Sequence, residues 1–423
     1  MRVLVLNPGS SSLKSSVVDT SAVPPSLGSG TADASGPAPG SGTASSSGPA
    51  AGSGVAPAPP PLARVDIDWG IDATAEGDPA DDIRRLLARY DEAGIATSSL
   101  GAVGYRVVHG GTRFREPVLI TADVVREIDA LRSLAPLHNG IAVATIRAAL
   151  AAAPQLPHVA VFDTAFHATL PEDAYRYPVP EQWYRDWGVR RYGFHGMSVA
   201  WSAERAGALL HSRHCGDPDA GQTEALRLVV AHLGSGCSVT AVDGGRSAAT
   251  SMGLTPLEGL MMGTRSGSID PGIVFALLRD GRLTADEIAD QLDHASGLAG
   301  VSGRTSDVRE LLAAEAGGDA AAALALAIFV RRAAECIAGA ATSLPCLDAV
   351  VFTGGIGENA AGLRARIVRR LAALGLAAIP ETAVREDSIL SAPGAWPAVL
   401  RIEAREDLVV ARAAAGLVDD GRA

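Results

Sequence analysis

The sequence predicts an α/β protein of two domains, on three observations. Short β-branched runs ending at glycine or asparagine alternate with segments of helical period, the pattern of sheets covered by helices. The chain has 423 residues, too many for one compact core. Two stretches, VLVLNPGSSSL from Val3 and LVVAHLGSGCSV from Leu228, both run strand, polar residue, Gly/Ser turn, strand, roughly 225 residues apart. That spacing is too wide for a solenoid and suits either a duplicated domain or two coincidental turns.

Taken in order, residues 2–7 alternate apolar and β-branched types and stop at Asn7-Pro8-Gly9, a strand and a tight turn; LKSSVVD from Leu13 resumes as a second strand and closes a hairpin. From about residue 20 to 61 the chain is almost wholly Gly, Ser, Ala, Pro and Thr, which buries too little apolar surface to offset the entropy of ordering it, so a flexible insertion is expected. LARVDIDW from Leu62 recovers strand character, DDIRRLLARYDEAG from Asp81 is an amphipathic helix, and AVGYRVVHGG from Ala102 is a strand ending at paired glycines. Two helices, TADVVREIDALRSL and NGIAVATIRAALAAA, precede the strand HVAVFD that ends at Asp163. A second block from Thr164 holds the strand LRLVVAHLG, a hairpin CSVTAVDGGRS turning at Asp243-Gly244, Ala-rich helices and the strand DAVVFTGGIGEN.

Composition bounds the partners. Hydrophobic residues are 47% and charged residues 20%, which suits a soluble enzyme. The net charge of −11 with no basic stripe argues against nucleic acid. Cys215, Cys237, Cys336 and Cys346 show no metal-ligand spacing and read as buried thiols of a reducing cytosol. The N-terminal apolar run is shorter than a signal peptide's, and AAAALALAIFV from Ala320 is well short of the ~20 residues a membrane-spanning helix needs, so a buried helix and a cytoplasmic protein without membrane contact are expected.

Three Gly/Ser turns at strand ends carry the chemistry. The first gathers Asn7, Ser10, Ser12 and Lys14, an inventory of amides, hydroxyls and one cation that an anionic phosphate needs. Lys14 is the only lysine in the chain, so a drift from Lys to Arg has spared the one place where a compact charge is useful. The turn is otherwise an ordinary polar hairpin, and it is not a Walker A loop. HLGSGCS from His232 and TGGIGEN from Thr353 also follow apolar strands, and three such turns favour a nucleotide site at the strands' ends. Arg106 and Arg265 read either as solvated loop residues or as forks for a carboxylate and a phosphoryl group. His138, His195 and His232 each adjoin a glycine or turn and are candidates to donate to charged oxygens, against the plainer reading as core histidines. Asp163 suits a catalytic or metal-orienting carboxylate, or a helix cap.

The segments VLVLNPGSSSLK, YRVVHGG, APLHN, VFDTAFHATLP, YGFHGMS, VVAHLGSGCSV, TSMGLTPLEGLMMGTRSGSIDP, SGRTSD and VFTGGIGEN, in that order, closely resemble the acetate kinases, the acetokinase family of the acetate and sugar kinase/actin superfamily. The resemblance covers nearly the whole chain outside the Gly/Ala/Ser/Pro insertion and the last residues. It implies two ribonuclease-H-like (actin-like ATPase) domains flanking a cleft, residues 1–163 plus 408–423 and residues 164–407, and a homodimer. It implies Mg²⁺-dependent (or Mn²⁺-dependent), reversible phosphoryl transfer between ATP and acetate, giving acetyl phosphate and ADP on the way to acetyl-CoA, with propionate or another short acid as the alternative substrate.

Carried over by position, the resemblance gives Asn7, Lys14, Arg106, Asp163, His195 and Arg265 catalytic roles. Asn7 and Glu406 would hold the metal. Arg106, Val108, Leu137, His138, Phe194 and Pro256 would bind the acid, its methyl lying among the apolar members. Ser10, Ser12, Lys14, His232, Gly234, Ser235 and Gly236 would meet the nucleotide's phosphates, and Asp307, Val308, Arg309, Gly355, Ile356, Gly357 and Asn359 would hold its adenosine end. The chain departs from the family at Ser235 and Met197, where asparagine and threonine are usual, and at Arg405, which replaces an asparagine and is expected to compete with the metal for Glu406.

The chemistry fits these residue types. A carboxylate is already a nucleophile, so catalysis reduces to aligning two anions and quieting their repulsion. A sugar or polyol kinase would need a carboxylate base and a polar pocket. A non-enzymatic actin-like ATP-binding module would have no use for Arg106, Arg265 and His195 together.

Overall fold

The computed structural model describes residues 1–9, 12–23, 55–68, 78–214 and 226–421. The Ser10 and Cys215 assignments and the side chain of Leu137 lie outside that description. Two six-stranded sheets organise the chain. The first holds β1 (Arg2–Pro8), β2 (Ser12–Asp19), β3 (Ala63–Asp68), β4 (Ala102–Val107), β5 (Val118–Leu119) and β6 (His158–Phe162), in the order β3-β2-β1-β4-β6-β5. The second holds β7 (Arg227–Leu233), β8 (Cys237–Asp243), β9 (Arg246–Thr250), β10 (Ala349–Thr353), β11 (Ser388–Ile389) and β12 (Ala398–Arg401), in the order β9-β8-β7-β10-β12-β11.

The two orders correspond strand for strand. In each sheet an antiparallel meander of three strands leads into two more strands parallel to its inner one, and a short antiparallel strand closes the far edge. The echo between the two Gly/Ser turns is therefore a repeat of topology and not a coincidence.

Period-2 alternation assigns each strand's faces. Leu4 and Leu6 of β1 enter a core under the helices Pro79–Glu92 and Pro136–Ala152, while Val3 and Val5 face a second core. Leu228 and Val230 of β7 enter that same second core from the other sheet; Val229, Ala231 and Leu233 face a third, covered by the buried helix Ala320–Ala341. Between the sheets lie the helices Gly196–His214 and Glu406–Asp419, the latter packed across β1, β4 and β6.

Several boundaries differ from the sequence reading. The first helix starts at Pro79 because Asp78 caps it, accepting from the Ala80 amide. The TGGIGEN stretch is a short helix, Gly354–Asn359, and not an open turn. The low-complexity stretch is anchored at both described ends: Thr20–Ala22 is a 3₁₀ turn followed by buried Val23, and Val55 and Ala58 pack against the second core while Arg205 donates to the Ala56 carbonyl at 2.6 Å. Of the cysteines read as buried, Cys237 is buried, but Cys336 is half-buried and Cys346 exposed, because Cys346 lies in the loop before β10.

Candidate active site

Two adjoining cavities, of about 560 and 230 Å³, open where the ends of β1, β4, β6, β7 and β10 approach one another. Asn7, Lys14, Arg106, His195, Ser235 and Gly236 line both. The sheet explains part of this wall: the register pairs Asn7 with Lys14 and Lys14 with Asp66, so the three stand in one row across β1, β2 and β3. Lys14 is exposed there, as a single point charge facing both spaces.

Arg106 sits near the end of β4, beside β6, whose chain continues into Asp163. Its Nε donates to both Asp163 oxygens at 3.0 Å and its Nη2 to Oδ2 at 2.6 Å, while Nη1 donates to Asn7 Oδ1 at 3.2 Å and lies 3.4 Å from Glu406. Burial works against the Arg106 charge, but Asp163 and Glu406 raise its pKa overall. Burial pushes the Asp163 carboxyl up and Arg106 pulls against it; with three donated hydrogen bonds Asp163 serves as the acceptor of a buried ion pair.

His195 has φ 57°, the one left-handed non-glycine residue among those described. It precedes the helix Gly196–His214, and the Gly196 amide donates to the Asp163 carbonyl at 3.0 Å. A Cβ at Gly196 would come within 2.2 Å of that carbonyl, so only glycine lets the helix start against the end of β6. The His195 and His232 rings stack at 4.2 Å between centroids. His195 Nδ1 lies 3.0 Å from Ser238 Oγ, and His232 Nδ1 lies 2.8 Å from Ser198 Oγ.

Burial holds the site histidines neutral. It takes His232 down to about 4, helped by Arg106, and His138 to about 4, helped by Arg265 and Arg106. His195 is lowered well below the ordinary value by burial, then by His232 and the two arginines.

The smaller cavity gathers residues that the resemblance assigned to the acid: Val108, Phe194 and Pro256 form its apolar side, and Arg265, His138 and Asp163 its polar side. Arg265 Nη1 donates to the Pro256 carbonyl at 3.3 Å, and burial lowers its pKa against the pull of Asp293. The larger cavity adds His232, Gly234, Gly354, Gly355, Glu358 and Glu406. Ser235, where the family pattern has asparagine, is exposed at the junction of the two spaces.

Not every expected residue reaches these cavities. Asp307 caps the helix Val308–Ala316 and is held at about 2 by hydrogen bonds from Arg309; Val308 is buried in the third core, and Arg309 is exposed. Ile356 packs against the same core, Gly357 is buried, and Asn359 donates to the Gly355 carbonyl. The loop before Asp307 does adjoin the site, because Gly263 donates to the Ser235 carbonyl and lies against Ser306.

Arg405 does not compete for Glu406. Its guanidinium donates to Asp407 at 2.9 and 3.0 Å, while Glu406 faces Arg106. Sequence reasoning missed Ser198, Ser238, Asn139 and Glu358. Asn139 exchanges two hydrogen bonds with the backbone of His109, next to Val108. Glu358 accepts from the Ala404 amide at 2.9 Å and so ties the Gly354–Asn359 helix to the segment that carries Glu406. All four lie in the segments that carry the family resemblance, which was the available signal for them.

A family profile described as the acetokinase family matches residues 70–412. The chain belongs to the acetokinase family. Over its full length it is 42% identical to the acetate kinase of Pseudarthrobacter chlorophenolicus, covering 100% of both chains. It is 51% identical over 328 residues to that of Deinococcus radiodurans, 76% of this chain and 79% of the relative. Among solved structures, a propionate kinase from Francisella tularensis is similar at TM-score 0.80 and 33% identity, covering 98% of this chain and 99% of the other. The acetate kinase of Porphyromonas gingivalis is similar at TM-score 0.78 and 29% identity, covering 99% of each. The fold of this acetokinase is accordingly two ribonuclease-H-like, actin-type sheets facing a shared site.

Proposed function

We propose that the protein phosphorylates acetate from ATP, reversibly, to give acetyl phosphate and ADP by direct in-line transfer between the two cavities. The observation that carries this is their common wall: Asn7, Lys14, Arg106, His195, Ser235 and Gly236 border both an apolar-ended slot and a polar, glycine-lined space. In this reading the acid's methyl lies against Val108, Phe194 and Pro256, with its carboxylate toward Arg265 and the Nη1 edge of Arg106. The nucleotide's phosphates lie along His232, Gly234, Ser235, Gly236 and Gly355, and its adenosine end beyond them toward Asp307 and Asn359. The terminal phosphoryl then faces a carboxylate oxygen across Gly236, with Arg106, Arg265, Lys14 and the His195 imidazole offsetting the repulsion of two anions.

Glu406 and Asn7 offer oxygen donors beside Arg106 at the edge of the larger cavity, a pair that would suit Mg²⁺ (or Mn²⁺) completed by phosphate oxygens and water. The bound ion would neutralise phosphate charge. Propionate is the second reading, favoured by the likeness to a propionate kinase; one methylene in the slot is worth only about 1–3 kcal/mol.

The division into residues 1–163 plus 408–423 and residues 164–407 is part of the same proposal, as is action in the cytoplasm. No helix among the described residues is long and apolar enough to cross a membrane. A homodimer is supported by the helix Pro271–Arg279, which buries none of its residues and exposes Ile273, Phe275 and Leu278, with Phe275 60% exposed.

A coupled assay with ATP and Mg²⁺ on acetate, propionate, butyrate and glycerol tests the function. Turnover of acetate, lost in Arg265→Ala, is expected. Turnover of glycerol with none of a short acid would overturn the assignment.

A further inference from the structure

The two stacked imidazoles are held by a crossed arrangement of serines. Ser198 follows His195 by three residues, yet its Oγ lies 2.8 Å from Nδ1 of His232. Ser238 stands opposite His232 in the β7–β8 register, yet its Oγ lies 3.0 Å from Nδ1 of His195. Each serine is next to one histidine and clamps the other. Both serines are fully buried, and among the described residues neither hydroxyl has another hydrogen-bond partner.

Both rings turn the remaining nitrogen toward the glycine loops. A Cβ at Gly236 would lie 3.4 Å from His195 Nε2, and one at Gly354 would lie 3.1 Å from His232 Nε2. A neutral imidazole carries one proton, and the nitrogen that lacks it is an acceptor. An Nε2 lone pair aimed at phosphate oxygens would repel them, whereas an Nε2–H would donate to them. The serines decide between these states. If Nδ1 carried the proton and donated to Oγ, each buried hydroxyl would have no acceptor for its own proton.

We propose that Ser198 and Ser238 are positioning residues for phosphoryl transfer: each donates its hydroxyl proton to Nδ1 of the opposite imidazole, fixing His195 as an Nε2–H donor at the junction of the two cavities and His232 as one in the larger cavity. The inference rests on the carboxylate-kinase reading for its kinetic consequence, but not for the tautomers themselves. The crossing also latches the helix Gly196–His214 to the β7–β8 hairpin, so the two donors keep a fixed separation as substrates enter.

Nitrogen-15 NMR of the histidine-labelled full chain at neutral pH reads the tautomers directly. Expected are Nε2–H signals for both rings, with Ser238→Ala shifting His195 toward a mixture and leaving His232 alone, and Ser198→Ala doing the converse. In steady-state kinetics Ser238→Ala should lower kcat on the order of tenfold to a hundredfold with both KM values within about twofold, while Ser198→Ala should act mainly on the KM for ATP. Ser→Cys at either site, which retains a weak donor, should recover part of the loss. Nδ1–H tautomers in the wild type, or alanine variants that keep both Nε2–H signals and full kcat, would overturn the proposal. If an alanine variant does not fold, the wild-type spectrum and the cysteine variants still decide. If the wild type phosphorylates no short acid, the kinase reading fails, and the spectrum judges the clamps alone.

Discussion

Arg106 grips Asp163 with two of its three nitrogens, Nη2 at 2.6 Å and Nε at 3.0 Å, which leaves Nη1 as the edge turned to Asn7, Glu406 and the cavities. Asp163 is 1% exposed and Arg106 19%, so the carboxylate acts as a rigid mount for a partly open guanidinium. Lysine at this position would keep the charge but could not serve Asp163 and the cavity at once. Arg106→Lys is therefore expected to lower kcat for acetate phosphorylation on the order of 10³-fold while the fold survives. A variant with near-normal kcat would remove Arg106 from the transition state.

Gly236 has neither a left-handed backbone nor a backbone atom against its missing side chain; the nearest atoms to a Cβ there are the His195 ring at 3.4 Å and Arg265 Nη1 at 3.6 Å. An added methyl would stand in the gap where the two proposed substrates meet. Gly236→Ala should leave the melting temperature nearly unchanged and cut kcat on the order of a hundredfold by displacing the reacting groups. Equal losses of stability and activity would show that the glycine serves folding instead.

Much of this site was legible because Gly/Ser turns and β-branched strands are local signals, and both hairpins lie where the alternation placed them. The Arg106–Asp163 grip was not, since the two residues are 57 apart in sequence and meet only through the parallel pairing of β4 with β6. The two-residue strands Val118–Leu119 and Ser388–Ile389 are too short to show any period. Arg405 was misjudged because adjacency in sequence says nothing of rotamer: its side chain turns to Asp407, two residues on, and not to Glu406 beside it.

Acid should weaken the fold through its buried histidines. His167 is held by Ser247 Oγ at Nδ1 and the Phe194 carbonyl at Nε2, both at 2.9 Å, and burial lowers its pKa to about 4. The unfolded chain, with histidine near the usual 6.5, binds the proton first as pH falls, so the stability contributed by the neutral ring is complete above about pH 6.5 and is lost between there and about pH 4. At pH 5 the loss from this one ring is about 2 kcal/mol. Measured as Tm against pH, His167→Gln should start lower than the wild type yet fall less steeply, with about one proton fewer taken up on unfolding at pH 5. Parallel curves would mean that His167 is not neutral in the fold.

The exposed apolar residues of the helix Pro271–Arg279 give the proposed homodimer a definite test. Ile273 is 49% and Phe275 60% exposed, and an aspartate at either would place a charge where a second copy needs an apolar surface. Light scattering at micromolar concentration should find a dimer for the wild type and a monomer for Ile273→Asp/Phe275→Asp. A dimer that survives both changes is held by another surface.

Metal dependence separates Glu406 from its neighbour. Glu406 lines the larger cavity and lies 3.4 Å from Arg106, whereas Arg405 is buried and committed to Asp407. Glu406→Gln exchanges an anionic oxygen donor for a neutral amide and leaves Arg106 less neutralised, so it should raise the Mg²⁺ concentration for half-maximal rate at least on the order of tenfold. Arg405→Gln deletes only the grip on Asp407, and its half-saturation by Mg²⁺ should stay within about twofold of the wild type, with a lower Tm because a buried partner is lost. The opposite pattern, a large shift in Arg405→Gln and none in Glu406→Gln, would move the metal to the Asp407 side of the cavity.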